Sequence, residues 1–130
     1  MGAKLKLDLT GFEAYLEKLA RFGADVDEAA AAALTAAADV VLAEMQALVP
    51  VDTGDLKSHL NHSEANRSGN EHWMHVGLYS KEGSVMRKGL ALEYGSVKMP
   101  AHPYIRPALT KSRQRARAAA IAEFKKRLAG

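Results

Sequence analysis

The sequence predicts an α+β fold in which N-terminal helices and a long C-terminal helix pack on a small, mainly antiparallel sheet. Three observations carry that expectation. Lys4-Leu5-Lys6-Leu7-Asp8-Leu9 alternates charged with apolar side chains, the period of a half-buried strand. Two long stretches, residues 24–48 and 107–128, repeat apolar residues at spacings of three and four. Between them, residues 71–78 return to period two, with Met74, Val76 and Leu78 on one side and Trp73 and His75 on the other. With 130 residues, 48% of them apolar and 25% charged, the chain has the size and composition of one domain spanning 1–130.

The elements follow in order. After the first strand, Thr10-Gly11-Phe12-Glu13 fits a capping box, with the Thr10 hydroxyl accepting from the Glu13 amide while the Glu13 carboxylate reaches back. Phe12, Tyr15, Leu16, Leu19 and Phe22 then share a helical face, and Gly23 closes the helix. The second helix has acidic residues in its first turn and a stripe of Val26, Ala30, Ala33, Ala37, Val41, Met45 and Leu48. Pro50 stops it, because the residue before a proline resists helical angles. A short helix capped by Asp52 or Thr53 is expected before residue 60, then a polar strand over 61–66 and a turn at Arg67-Ser68-Gly69-Asn70. Residues 79–89, with Gly83 and Gly89, read as a mobile loop. Ala91-Leu92-Glu93-Tyr94-Gly95-Ser96 is a compact element, helix or strand. Three prolines make 100–107 extended, and Pro107 suits the first position of the last helix.

Composition excludes several classes of function. The chain has no cysteine, which removes disulfide scaffolds, cysteine nucleophiles and cysteine-based zinc sites. Charges in the first eight residues break the apolar run that an export signal needs. Asp25, Asp27, Glu28, Asp39 and Glu44 interrupt the most apolar stretch, so no membrane span is expected there.

Catalytic patterns are sparse. His59/His62 and His72/His75 have a spacing that shares a face on a helix, but the second pair falls on a strand and points to opposite sides. Asp52 and Asp55 fit a turn and helix cap better than a carboxylate dyad. No Gly-x-Ser-x-Gly turn or phosphate-cradling glycine loop is present. No catalytic, cofactor-binding or metal-ligating residue is therefore assigned.

The last helix is more informative. Lys111, Arg113, Arg115, Arg117, Lys125, Lys126 and Arg127 stand against one acid, Glu123. On a helical wheel Lys111, Arg115, Lys125 and Lys126 cluster opposite Leu109, Ala116, Ala120, Phe124 and Leu128, while Arg113 and Arg117 fall in the apolar half. Either these two snorkel to water or that end of the helix stands away from the core. The basic residues form a candidate partner surface. Aromatic residues do not interleave with them as in single-strand nucleic-acid binders.

The order of short motifs adds a resemblance. Ala47-Leu48-Val49-Pro50-Val51-Asp52-Thr53-Gly54-Asp55-Leu56 comes first, then Val76-Gly77 in a hairpin. Leu92-Glu93-Tyr94-Gly95-Ser96 and Pro103-Tyr104-Ile105-Arg106-Pro107-Ala108-Leu109 follow. The chain resembles the tail-component or head–tail joining (neck, tail-completion) proteins of long-tailed bacteriophages and prophages. Ser96 departs mildly, since threonine is more usual there. The resemblance implies a non-enzymatic virion protein at the head–tail junction, made in the host cytoplasm. It further implies a homo-oligomeric ring, commonly six-fold, around the channel for double-stranded DNA, with connector and tail proteins as neighbours. Pro50, Asp52, Thr53, Gly54, Leu56, Glu93, Tyr94, Gly95, Pro103, Arg106 and Pro107 are the positions carried over. Glu93 and Arg106 either pair across the intervening loop or meet solvent and separate partners. The alternative function is a small DNA-binding module using the basic terminal helix, and a third reading is a histidine metalloenzyme.

Overall fold

The computed structural model describes residues 2–21, 23, 25–50 and 55–129. The elements run β1 (Gly2–Asp8), α1 (Glu13–Arg21), α2 (Val26–Leu48), α3 (Asp55–Ser58), β2 (Leu60–His62), β3 (Asn66–Ser68), β4 (Glu71–Leu78), α4 (Gly83–Tyr94) and α5 (Ile105–Ala129). This is the expected α+β arrangement of helices on a small antiparallel sheet. Phe22, Ala24, Asp52, Thr53 and Gly54, to which capping, packing and turn roles fall by sequence, lie outside the described residues.

Strand β4 is the centre of the sheet. Along one edge it pairs with the whole of β1, from Gly2 opposite Gly77 to Asp8 opposite Glu71. Along the other it pairs first with β3 and then with β2, all antiparallel. Cross-strand partners share a face, so Ala3, Leu5 and Leu7 of β1 join Val76, Met74 and His72 of β4 on the helix-covered side. On the opposite side Lys4 lies 4.6 Å above the Trp73 ring, and Lys4 and Lys6 both approach Glu71. Period-two patterning produced this division, and it holds along all of β4.

The core lies between the sheet and two long helices. Asp25 caps α2 by accepting from the Glu28 amide at 3.0 Å. Eight side chains of α2 are buried, five of them alanines, and Ala30, Ala33 and Ala38 are fully enclosed. Helix α5 packs along α2 and contributes Ala108, Ser112 and Ala116 at four-residue spacing. Arg127 meets Glu28 at one end of the pair and Arg115 meets Glu44 at the other, so the helices are antiparallel. Small side chains let the two backbones approach closely, which is how a chain with 6% aromatic residues fills its interior.

Five details differ from the sequence expectation. The Thr10 amide and hydroxyl both donate to Asp8, so neither half of the capping box forms, and the Glu13 carboxylate accepts instead from the Gly11 amide and the Asn70 side chain. The apolar face of α1 is not packed into the core, and no residue of that helix is buried. The polar strand over 61–66 divides into β2 and β3, because Ser63 bonds both ways to His75 and interrupts the ladder. The proposed loop over 79–89 is mostly helix: α4 starts at Gly83, and its inward face is Val85, Gly89, Leu92 and Glu93. A glycine and a glutamate on the buried side conceal the helical period from a hydropathy reading. The extended segment likewise ends at Tyr104, so Pro107 occupies the third helical position of α5, still within the turn whose amides lack helical acceptors.

Candidate partner-binding surfaces

The corner between α4 and α5 is built on one buried carboxylate. Glu93 is only 1% exposed and accepts from the amides of Tyr104, Ile105 and Arg106 at 3.0, 2.8 and 3.3 Å. The Arg106 side chain closes over it, donating from Nε to the carboxylate at 2.9 Å and from Nη2 to the Glu93 carbonyl. A negative charge thus sits at the positive end of α5 and satisfies amides that the helix itself leaves free. Burial works to raise the Glu93 pKa, but the amide and guanidinium donors outweigh it and hold the carboxyl below its ordinary value. Tyr104 is fully buried beside it, and burial first, then the Glu93 charge, push its phenol upward.

This scaffold presents an apolar knob. Tyr94 lies 5.0 Å from the Arg106 guanidinium and is otherwise open, Val97 is fully exposed, and Leu90 and Met99 are also uncovered. Ser96 and Met99 exchange backbone hydrogen bonds, and the His102 amide donates to the Leu92 carbonyl. The exposed side chains are therefore held on an ordered turn, which lowers the entropy lost on docking. Gly95 makes the turn possible at φ +83°, where a Cβ would lie 3.1 Å from the Ala101 amide nitrogen. Gly95→Ala is expected to lose about 1–3 kcal/mol in urea unfolding. Gly11→Ala, also at positive φ but with open space around it, is expected to lose less.

A second surface is a groove of about 720 Å³ between β1 and α5, floored by α2. Leu5 and Leu7 line one side, Leu34 and Ala37 the floor, and Leu109, Ala120, Ile121 and Phe124 the other side. Phe12 stands exposed at its end. Arg113, Arg117 and Lys125 rise along the α5 rim into solvent, so the two arginines of the apolar half snorkel at its margin. The deepest face of α5 runs through Ala108, Ser112 and Ala116, slightly rotated from the stripe read by wheel; Leu109, Ala120, Phe124 and Leu128 are half-buried. Among the described residues no carboxylate pairs with Arg113, Arg117 or Lys125, whereas Arg67, Arg106, Arg115 and Arg127 each hold one.

Residues 11–96 match the family described as "Bacteriophage HK97-gp10, putative tail-component". The chain belongs to that family. It is accordingly a bacteriophage tail-component protein, whose place is the virion. No curated protein and no solved structure gives a significant match. The segment shared with the HK97-gp10 family runs from α1 through α4 and ends just beyond Gly95. Strand β1 and helix α5, which form the walls of the groove, lie outside it.

Within this HK97-gp10-like chain the singled-out residues separate into two groups. Glu93, Tyr94, Gly95, Pro103, Arg106 and Pro107 come together at the α4–α5 corner. Pro50 is exposed after α2, and Leu56 is buried in α3. Lys111, Arg115 and Lys126 are exposed on α5 away from the groove lining, and Arg115 is engaged by Glu44. The histidines are dispersed: the His62 ring bonds to the Ser63 carbonyl, the His75 ring stacks near Trp73 at 5.1 Å, and His72 is buried. Among the described residues no three His, Asp or Glu gather as metal ligands, and no helix is long and apolar enough to cross a membrane.

One polar cluster has no counterpart in the motif reading. His72 Nε2 lies 3.0 Å from Asp27 Oδ1, and Arg67 reaches both Asp27 oxygens at 3.0 and 3.1 Å. The hydrogen bond from His72 is the largest influence and lowers the Asp27 carboxyl pKa; burial opposes it, and the Arg67 charge adds to the lowering. These groups line a cleft of about 560 Å³ beneath α1. The period of β4 places His72 on the core side with Met74; its acidic partner, 45 residues earlier, left no signal in the spacing.

Proposed function

We propose that this tail component is a structural protein of the phage head–tail junction that joins or completes the tail by closing into a ring, and that it transforms no substrate. One observation carries the reading. Large apolar side chains stand uncovered on two separate surfaces, the α4–α5 corner and the β1–α5 groove, on a chain of only 130 residues. Exposed apolar patches of this kind mark interaction sites. When different surfaces of identical subunits meet head to tail, closure gives a ring rather than a two-fold pair. In this reading the groove and its surroundings join copies of the chain, commonly six, around the DNA channel. The rigid corner meets the connector or tail protein above or below. The fold as one unit, residues 1–130, is the repeating block of that ring.

Deleting the gene from the phage tests the reading. The expected result in electron micrographs of the lysate is filled heads and tails that fail to join or tails of aberrant ends. Normal numbers of joined, infectious particles would end it.

The exposed, unpaired cations of α5 favour a second reading, a duplex-binding module. Neutralising several phosphates makes affinity fall steeply with salt, with a slope of about −0.9 per phosphate on a double-logarithmic plot. A gel-shift series across salt concentrations separates the two. A channel protein is expected to hold free duplex weakly even at low salt, whereas tight, salt-sensitive binding supports the module.

A further inference from the structure

The groove between β1 and α5 has the open edge of a strand for one wall. We propose that it receives an extended segment of a different virion protein, one that alternates apolar side chains with carboxylates and adds to the sheet beside β1. This narrows the reading above: the edge goes to another protein, and contacts between copies of the chain fall on the surroundings of the groove.

Every residue from Ala3 to Leu9 lines the groove, although the Lys4 and Lys6 side chains turn to the far face of the sheet, toward Trp73 and Glu71. What the groove meets along β1 is therefore backbone as well as Leu5 and Leu7. Strand β4 takes one edge of β1, and among the described residues no backbone group pairs with the other. Alternate residues of such an edge aim N–H and C=O groups outward. The sheet ends there while α5 packs on α2 farther out, so Ile121 and Phe124 face the groove with no strand beneath them.

This geometry selects a strand over a helix. A helix satisfies its own backbone and would cover the β1 edge without pairing it, leaving polar groups desolvated against apolar side chains. An added strand pairs the edge and sets every second side chain against Leu5, Leu7, Ile121 and Phe124. The two walls match in length, with about 20 Å of β1 facing about 24 Å of α5.

Charge decides whose strand it is. On the far face Lys4 and Lys6 share one carboxylate, Glu71. On the groove face Arg113, Arg117 and Lys125 have none among the described residues. Asp8, the acid among the described lining residues, is taken up by the Thr10 amide and hydroxyl. A strand bearing carboxylates answers these cations and meets Lys4 and Lys6 as cross-strand neighbours. Extended segments of a second copy do not, among the described residues. A second β1 centred on the first sets Lys4 opposite Lys6, and lysines on an edge discourage such self-pairing. The 96–103 segment carries Lys98 and two prolines, and β2 has only three residues.

Titrating the full chain with a capped peptide of the length of β1, in which glutamate alternates with valine, tests this. Amide NMR and hydrogen exchange read the result. Binding is expected to saturate, to weaken with salt, and to slow exchange of the outward β1 amides about tenfold at about nine-tenths occupancy. Lysine in place of glutamate, or the same residues reordered so that alternation is lost, is expected to weaken binding about tenfold or more. Arg117→Glu and Ile121→Ser, both at exposed positions, are expected to weaken it about threefold or more with an unchanged circular dichroism spectrum. Absence of binding, equal binding of the lysine peptide, or shifts on α5 with β1 exchange unaltered each overturn the proposal. So does protection of the β1 amides that grows with protein concentration alone, since a second copy then holds the edge. None of these outcomes bears on the gene deletion, which tests the head–tail role separately.

Discussion

Replacing Glu93 with alanine is expected to cost this protein about 3–5 kcal/mol, a large part of the 5–15 kcal/mol that stabilises an ordinary domain. The carboxylate is almost fully enclosed and holds three amides of the first turn of α5 together with the Arg106 guanidinium. Alanine leaves those amides without an acceptor in a region where Tyr104 and Ile105 exclude water. Each buried donor left unpaired costs about 1–3 kcal/mol. Glu93→Gln keeps one acceptor oxygen but turns an amide group toward donors, so its loss is expected to be smaller than alanine's. Arg106→Ala is expected to be milder, about 1 kcal/mol, because that side chain is largely exposed and screened by solvent. Urea unfolding measures all three. A Glu93→Ala midpoint close to the wild type's would show that the cap contributes little.

The same carboxylate sets a pH dependence with a definite sign. Its folded pKa is depressed, so its contribution to stability is fully present above the ordinary glutamate value of about 4.3. That contribution is lost as pH falls from there through the lower folded value. Wild-type stability is therefore expected to fall with acid in that window, while Glu93→Gln, already neutral, loses less over the same interval.

Parts of this architecture were legible because burial and sequence period coincide in them. Strands β1 and β4 alternate cleanly, and α2 carries its small residues at three and four. Glu93 and Arg106 stood out only through motif order, since nothing in hydropathy announces an acid as a buried cap. Helix α4 was hidden for the same reason: its inward face includes Gly89, whose carbonyl accepts from the Tyr104 hydroxyl, and Glu93 itself. The stripe of α1 was visible, but periodicity specifies only that a face is apolar and not which molecule covers it. The groove was less visible still, since β1 and α5 stand at opposite ends of the chain and neither reading alone brings Leu5 and Leu7 beside Phe124.

The alanine seam supplies the second large expected effect. Ala30 and Ala38 of α2 are both fully buried, and their Cα atoms are about 12 Å apart along the helix at 1.5 Å per residue. Leucine at either position places three extra carbons in an interior that is close-packed, which displaces α5 or the sheet. Overpacking of this kind costs about 1–3 kcal/mol per site. The sites are far enough apart to add nearly independently, so Ala30→Leu with Ala38→Leu is expected to lose about 2–6 kcal/mol in urea unfolding. Ala43→Leu provides the control, because Ala43 is exposed on the same helix and leucine is nearly as good a helix former as alanine. The control should lie within about 0.5 kcal/mol of the wild type. The contrast separates two roles for alanine that composition merges: helix propensity, which Ala43 shares, and closeness of approach, which only the enclosed positions require. Should the double variant match the control, α2 and α5 would have room between them, and the chain's scarcity of aromatic residues would not be explained by tight helix contact.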